Sequence, residues 1–533
     1  MPKRLRIALV PLDDRPVCLQ YPVMMGGLAY AEVLTPPRAA LGRFTAPGDT
    51  DAITRWLRAQ DWGSIDALVV SIDMLAFGGL VASRRHGVDA DTALARLTVL
   101  SDIRQGHPSL RLYGSSVIMR LAPTADGTNE TWREPLARYA ELAHGPTTAL
   151  ETAEVAALVE QIPAAARQDY LRARTRNLRL NLAAVTLAAA EVLDYLVVSQ
   201  DDARPRGMHL ADRAEVTARV REGRLTARVG VQPGADEVAM LLLARAVLER
   251  RGLAPTVGVD YSSEAVPTMV APFEDRQVQD TARFQLAAAG ASAIAETGRV
   301  DLRLLVFASR HDAGRAAAFA RAVEASVGHG PPTIVADIDP KGDVQGASAA
   351  FTEALLAAKV FPRLYGYASW NTAGNTLGTA IAHGLLAWAG ARLAMACSSP
   401  AFLAMAEARV TFMLHRLIND YAYQGVLRPV LNRELRDAGR DASWLRSHAS
   451  DMAGRIQLEL APKLAVYARQ FGSTYVPPAP GPTDWAVHVH EPRDLQVRLP
   501  WDRTFEAAIS FEVPVTAQMR PFGRLPACAT PAP

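Results

Sequence analysis

Short apolar runs rich in β-branched residues recur along the chain, and four of them stop abruptly on acidic or amide residues. They are Ile7–Leu12 before Asp13 and Asp14, Ala67–Ile72 before Asp73, Tyr195–Gln200 before Asp201 and Asp202, and Leu364–Ser369 before Trp370 and Asn371. Such runs, bounded by turn signals, predict buried parallel strands. The predicted strands are 5–12, 66–72, 111–118, 194–200, 256–260, 302–308, 333–338 and 363–369. Helical spacing of apolar positions predicts helices over 51–58, 91–104, 155–193 (as two helices), 236–251, 278–289, 313–327, 347–358 and 372–389. Eight strand–helix units give an α/β chain of the (β/α)8 TIM-like barrel type. If residues 226–231 form a further strand, tandem doubly wound sheets become the alternative.

After residue 390 the pattern changes. Residues 402–425 and 443–470 read as long helices, the Pro-rich stretch 476–483 as a stiff connection, and 485–490, 495–499 and 505–515 as a small antiparallel β meander before a tail at 520–533. The expected domains are therefore a catalytic barrel over 1–390, a helical domain over 391–475, and a meander with tail over 476–533.

The chain has 533 residues, 49% hydrophobic and 21% charged, with a net charge of +2. That balance gives no electrostatic case for a nucleic-acid partner. No apolar run approaches the roughly 20 residues that span a bilayer, and no signal peptide is evident, so a cytoplasmic protein without a membrane partner is expected. Cys18, Cys397 and Cys528 are too far apart for a disulfide framework or metal spacing. His488 and His490 share a strand face, but with no Cys or carboxylate cluster nearby they read as exposed sheet residues. No residue is assigned to a metal, no cofactor is expected, and a homo-oligomer is allowed.

Polar groups at the carboxyl ends of parallel strands are where α/β folds place their chemistry. Adjacent Asp201 and Asp202 point in different directions at a strand end, and two like charges so close raise the pKa of one, giving an acid and a base. Arg204 and Arg206 are the arginines expected to hold the other ionised. Asp13, Asp14 and Arg15, before Pro16, leave their strand extended and read either as substrate contacts or as a pinned loop. Asp73 precedes Gly78-Gly79, which permits close approach of a ligand or a simple turn. Asn371 and Asn375 offer donors and acceptors for sugar hydroxyls, Trp370 an apolar platform, and Arg120 a cation for an anionic or hydroxylated substrate. Asp236 reads as a helix N-cap. Asp260, Asp337 and Asp339 are secondary candidates.

Four segments carry a resemblance: Pro11-Leu-Asp-Asp-Arg-Pro16, Ser199-Gln-Asp-Asp202, Pro233-Gly-Ala-Asp-Glu237 and Ser369-Trp-Asn-Thr-Ala-Gly-Asn-Thr-Leu-Gly378. They resemble a bacterial family known only as a domain of unknown function, DUF4127, over most of the chain. That resemblance implies no activity. More loosely, consecutive acids at a strand end look like those of substrate-assisted N-acetylhexosaminidases, where one carboxylate orients the acetamido group and its neighbour is acid and base.

The expected function is a glycoside hydrolase with a small carbohydrate substrate, a 2-acetamido sugar first among the candidates. Asp201 and Asp202 would be catalytic, with Asp13, Asp14, Arg15, Asp73, Arg120, Trp370, Asn371 and Asn375 binding substrate. The alternatives are a divalent-metal-dependent lyase or hydrolase using strand-end carboxylates, and a non-enzymatic sugar-binding protein.

Overall fold

The computed structural model describes residues 3–145, 148–294, 300–394, 399–472 and 485–519. All eight predicted strands form, but they divide between two open parallel sheets instead of closing one barrel. The first holds β1 (Leu5–Val10), β2 (Ala31–Leu34), β3 (Ala67–Ser71), β4 (Arg111–Ile118), β5 (Tyr195–Gln200) and β6 (Val229–Pro233) in the order β2-β1-β3-β4-β5-β6. The second holds β7 (Thr256–Tyr261), β8 (Ser292–Ile294), β9 (Leu302–Phe307), β10 (Thr333–Asp337) and β11 (Gly366–Ala368) in the order β11-β10-β9-β7-β8. Each sheet steps from its first strand to one side and then reverses. This is a doubly wound order with a switch point between β1 and β3, and again between β7 and β9.

The barrel expectation is corrected by three strands. The segment read as an optional strand is β6, which ends the first sheet. β2 and β8 are short, partly exposed edge strands whose sequences, Ala-Glu-Val-Leu and Ser-Ala-Ile, lack the apolar run that marks a buried strand. No pairing joins β6 to β7, so the count of apolar runs was right while their connectivity was not.

Alternation along the strands sorts residues between cores. Ile7 and Leu9 face a core that also takes Val257, Leu304 and Val306 of the second sheet, whereas Ala8 and Val10 face the outer helices of the first. Between the sheets lies the helix Val238–Arg250, buried from Val238 to Leu248 except at Arg245 and packed against the helix Ala373–Ala394. A helix apolar nearly all round needs neighbours on every side. The first sheet supplies one side, and the helices Gln20–Leu28, Val278–Ala288 and Ala373–Ala394 supply the others.

The predicted helix pair over 155–193 appears as Ala149–Gln161 and Ala164–Ala189, broken at Pro163, which cannot donate to a continuing helix. The expected boundary at residue 390 falls inside the helix Ala373–Ala394, and the helices Ser399–Arg416, Arg428–Asp437 and Ala449–Ala468 follow. Their apolar residues share a core with Phe307, Val335 and Tyr367 on the outer face of the second sheet. Among the described residues no helix is long and apolar enough to cross a membrane.

The last strands are not a simple meander. β12 (Trp485–Val489) pairs with β15 (Val515–Met519), and β13 (Arg493–Arg498) with β14 (Ala508–Glu512), as two antiparallel ribbons. The segment between β13 and β14 leaves the ribbon to reach the carboxyl ends of the parallel strands. The Pro-rich connection, Cys397, Cys528 and the tail lie outside the described residues.

Candidate functional site

Loops from both sheets and from the β13–β14 connection enclose a cavity of about 260 Å3. The first sheet contributes Arg15 after β1, Arg120 after β4, Asp201 and Asp202 after β5, and Asp236 after β6. The second contributes Phe273 and Glu274 after β7, Gln345 after β10, and Asn371, Thr372 and Asn375 after β11. Trp501, Arg503 and Phe505 complete the wall. Four lining residues other than glycine, Asp202, Phe273, Gln345 and Asn371, have positive φ (37°, 66°, 57° and 56°). Such backbone persists only where surroundings enforce it, and it clusters at functional sites.

The polar network is built on arginine–carboxylate pairs. Asp13 accepts from the Arg15 backbone N–H at 3.0 Å and from its Nη2 at 2.6 Å. The same guanidinium donates to both oxygens of Asp236, at 3.0 and 2.6 Å, across 221 positions of sequence, and lies 4.8 Å from the Trp501 ring centre. Asp236 is therefore not the expected helix cap. The turn before the helix aims its carboxyl at Arg15, a bidentate partner that outcompetes a single capping N–H. Asp14 accepts from Trp501 Nε1 at 2.7 Å, fastening the C-terminal segment to the first sheet.

Asp201 and Asp202 sit at the cavity mouth with separate partners. Arg84 Nη2 donates to Asp201 Oδ2, and Arg120 Nη1 to Asp202 Oδ2. Arg204 and Arg206, expected in that role, pair instead with Glu141 and Glu151 on the outer helices. The two carboxyls are driven apart in acidity. Burial alone would raise Asp201, but Arg84 and Arg120 outweigh it and hold its pKa below the ordinary value. Burial and the neighbouring Asp201 charge raise Asp202 against the same arginines.

A second network joins the sheets. Gln345 Nε2 donates to Asn371 Oδ1 at 3.2 Å, Asn371 Nδ2 to Asn375 Oδ1 at 2.6 Å, and Asn375 Nδ2 to Glu237 Oε2 at 2.7 Å. Gln285 Nε2 bridges Glu237 Oε1 and the Gly374 carbonyl at 3.0 and 2.9 Å. Two glycines make room for Glu237. A Cβ on Gly234, whose φ is +108°, would lie 1.7 Å from Glu237 Oε1, and one on Gly378 would lie 2.3 Å from its Cγ. Glu274 accepts from the Gly374 N–H at 2.8 Å. Burial raises Glu237 to about 7 and Glu274 to about 8. Asp420, within the π-helical stretch Leu417–Leu427, accepts from the Ser369 N–H at 2.8 Å, and its carbonyl from the Ala347 N–H at 2.9 Å. Those bonds fix the loops that carry Gln345 and Asn371.

Of the residues expected at a site, Arg15, Arg120, Asp201, Asp202, Asn371 and Asn375 line the cavity. Asp13 and Asp14 stand behind its wall, bonded to Arg15 and Trp501. Asp73 lies outside it, buried and accepting from the Val117 N–H at 2.9 Å, with burial raising its pKa to about 7. Gly78 packs on the backbone of Gly48, so the Gly-Gly pair serves a turn. Trp370 is buried beside Tyr21, its Nε1 bonded to Thr379 at 3.0 Å, and Trp501 takes the place expected of it as the cavity's aromatic wall. Asp260 pairs with Arg303, Asp337 accepts from the Ser348 N–H, and Asp339 collects backbone N–H groups of its own loop. Sequence reading missed Arg84, Gln345, Glu274 and Arg503, and read Asp236 as a cap. Only Asp236 carried a signal, its place in a strand-end acidic pair. Among the described residues no cluster of three or more His, Cys, Asp or Glu side chains is arranged to hold a metal ion.

The cavity, lined by arginines and carboxylates, lies at the carboxyl ends of the parallel strands of an α/β protein, where such folds commonly place ligand sites. A family model described as "Protein of unknown function (DUF4127)" matches residues 7–510, and the chain belongs to that family. No curated protein matches the chain.

Proposed function

We propose that the protein is a glycoside hydrolase in which Asp202 is the general acid and base and Asp201 its ionised partner. The observation that carries this reading is the pair itself: adjacent carboxyls lining one cavity, each held by a different arginine, with opposite shifts in acidity. Two carboxyls with separated pKa values are what cleavage of a glycosidic bond requires. The cavity is small for a ligand site and suits one sugar ring, with Trp501 as an apolar wall.

A 2-acetamido sugar is the leading substrate. Arg84 occupies Asp201 Oδ2, and Oδ1 lies outside that pair, where an acetamido N–H would find an acceptor. The acetamido oxygen would then attack the anomeric carbon as Asp202 gives its proton to the departing glycosidic oxygen. Asp202, now a base, would take a proton from the water that opens the cyclic intermediate.

The test compares Asp202→Asn with Asp201→Asn on two substrates. Asp202→Asn should cripple cleavage of a poor leaving group by about 10²–10⁴-fold and spare an activated aryl glycoside, which needs little protonation. Asp201→Asn should slow both, because it weakens the internal nucleophile. Equal small losses in both variants would show the pair to be structural and overturn the reading.

A further inference from the structure

A second space adjoins the cavity through a shared wall. Val81, Arg84 and Thr124 line both. Arg84 is the partition: its Nη1 donates to Thr124 Oγ1 at 2.6 Å while its Nη2 holds Asp201. The adjoining cleft measures about 510 Å3 and lies between the loop after β4 and the helix Ala164–Ala189.

Its chemistry differs from that of the first cavity. At its edge Arg85 pairs with Asp126, and the Asp169 carboxylate accepts from the His86 backbone N–H at 3.2 Å. Trp132 and Tyr170 give it aromatic surface. Two polar atoms beside the partition are buried without a partner. Arg84 Nε is a donor, and Asn129 Oδ1 is an acceptor on a residue only 2% exposed, whose Nδ2 is already bonded to the Thr124 carbonyl at 2.7 Å. A buried donor and acceptor left open are costly unless something completes them. Aromatic surface, the Asp169 carboxylate, which disfavours an acidic sugar, and one unpartnered donor and acceptor fit a neutral, hydroxylated ring.

We propose that this cleft is the leaving-group subsite, so that the substrate is a disaccharide or larger glycoside whose second, uncharged sugar lies against Trp132 and Asn129. The inference rests on the glycosidase reading. The glycosidic oxygen would then sit at the partition, beside the carboxyls that Arg84 and Arg120 hold. Asp202 gives its proton to that oxygen, the bond from oxygen to the anomeric carbon breaks, and the second sugar leaves through the cleft as a free alcohol.

The experiment sets glycosyl fluorides against disaccharides with the same first sugar, over glucosyl, galactosyl, mannosyl and N-acetylglucosaminyl series. A fluoride leaving group needs no subsite. Two variants are compared with wild type: Trp132→Ala, which removes the aromatic surface, and Ala166→Trp, which fills the cleft from its rim helix without disturbing the core beneath Trp132. Wild type should cleave both substrate types. Each variant should lose about tenfold or more in kcat/KM on the disaccharide and stay within about twofold on the fluoride. Equal losses on both substrates, no loss on either, or a wild type that cleaves fluorides but no disaccharide would overturn the subsite and leave the glycosidase reading standing. A wild type that cleaves neither would overturn both.

Discussion

Burial raises Glu274 and Glu237 so far that they lose their protons only around and above neutral pH, and that has a sign in stability. Their pKa values, about 8 and about 7 by burial, lie above the roughly 4.3 of an unfolded glutamate. Between those limits the folded chain keeps protons that the unfolded chain has lost. Their contribution is full below about pH 4.3 and is lost as pH rises through the folded values, at up to about 1.4 kcal/mol per pH unit for each group. Glu274→Gln keeps an acceptor for the Gly374 N–H and removes the titration. Urea denaturation at pH 5.5, 7 and 8.5 should show stability falling with pH in the wild type and falling less steeply in the variant. Parallel slopes would contradict the assignment. At this scale the sequence marked the right residue types but not their partners. The acids at the ends of β1 and β5 were visible because they interrupt apolar runs. Arg84 was not, because it lies in an ordinary polar stretch, and its pairing with Asp201 depends on how β3 and β5 flank β4.

The turn from β11 into the helix Ala373–Ala394 shows what an element must give up to hold one side chain. Its glycines cannot be judged by helix propensity alone, since Gly378 is inside the helix, where Ala would ordinarily be favoured by about 1 kcal/mol. Here a methyl would meet the Cγ of Glu237 at 2.3 Å. Gly378→Ala should therefore destabilise by about 1–3 kcal/mol, the usual result of overpacking a buried site, and reverse the propensity expectation. It should also lower activity more than stability, because displacing Glu237 loosens Asn375 and, through it, Asn371. Urea midpoints together with kcat/KM on the aryl glycoside would check both, and a variant as stable and active as wild type would refute the packing account. Elements with long apolar runs were legible from sequence alone. Edge strands β2 and β8 were not, since a strand of three or four residues with one exposed flank carries little periodicity.

At the scale of the whole molecule, the site exists only where three parts of the chain meet, and the core was built for that meeting. The helix Val238–Arg250 follows the first sheet in sequence but buries its far side against the helix Ala373–Ala394, which follows the second. One continuous core runs from Ile7 and Leu9 through Leu241 and Leu385 to Leu304 and Val306. Separating the sheets would expose that apolar helix, at roughly 25 cal/mol for each Å2 uncovered. Neither sheet should therefore persist without the other, despite each having a complete doubly wound order. This is the consequence that eight strand–helix units in a row could not disclose: the same apolar runs serve a closed barrel or two coupled sheets, and only pairing at β6 and β7 distinguishes them. Calorimetry should show a single unfolding transition, with the fluorescence of Trp501, bonded to Asp14, changing over the same temperature range. Two resolved transitions, or loss of the Trp501 signal well below the main one, would mean that the lobes and the C-terminal segment fold separately and that the cavity between them is open in solution.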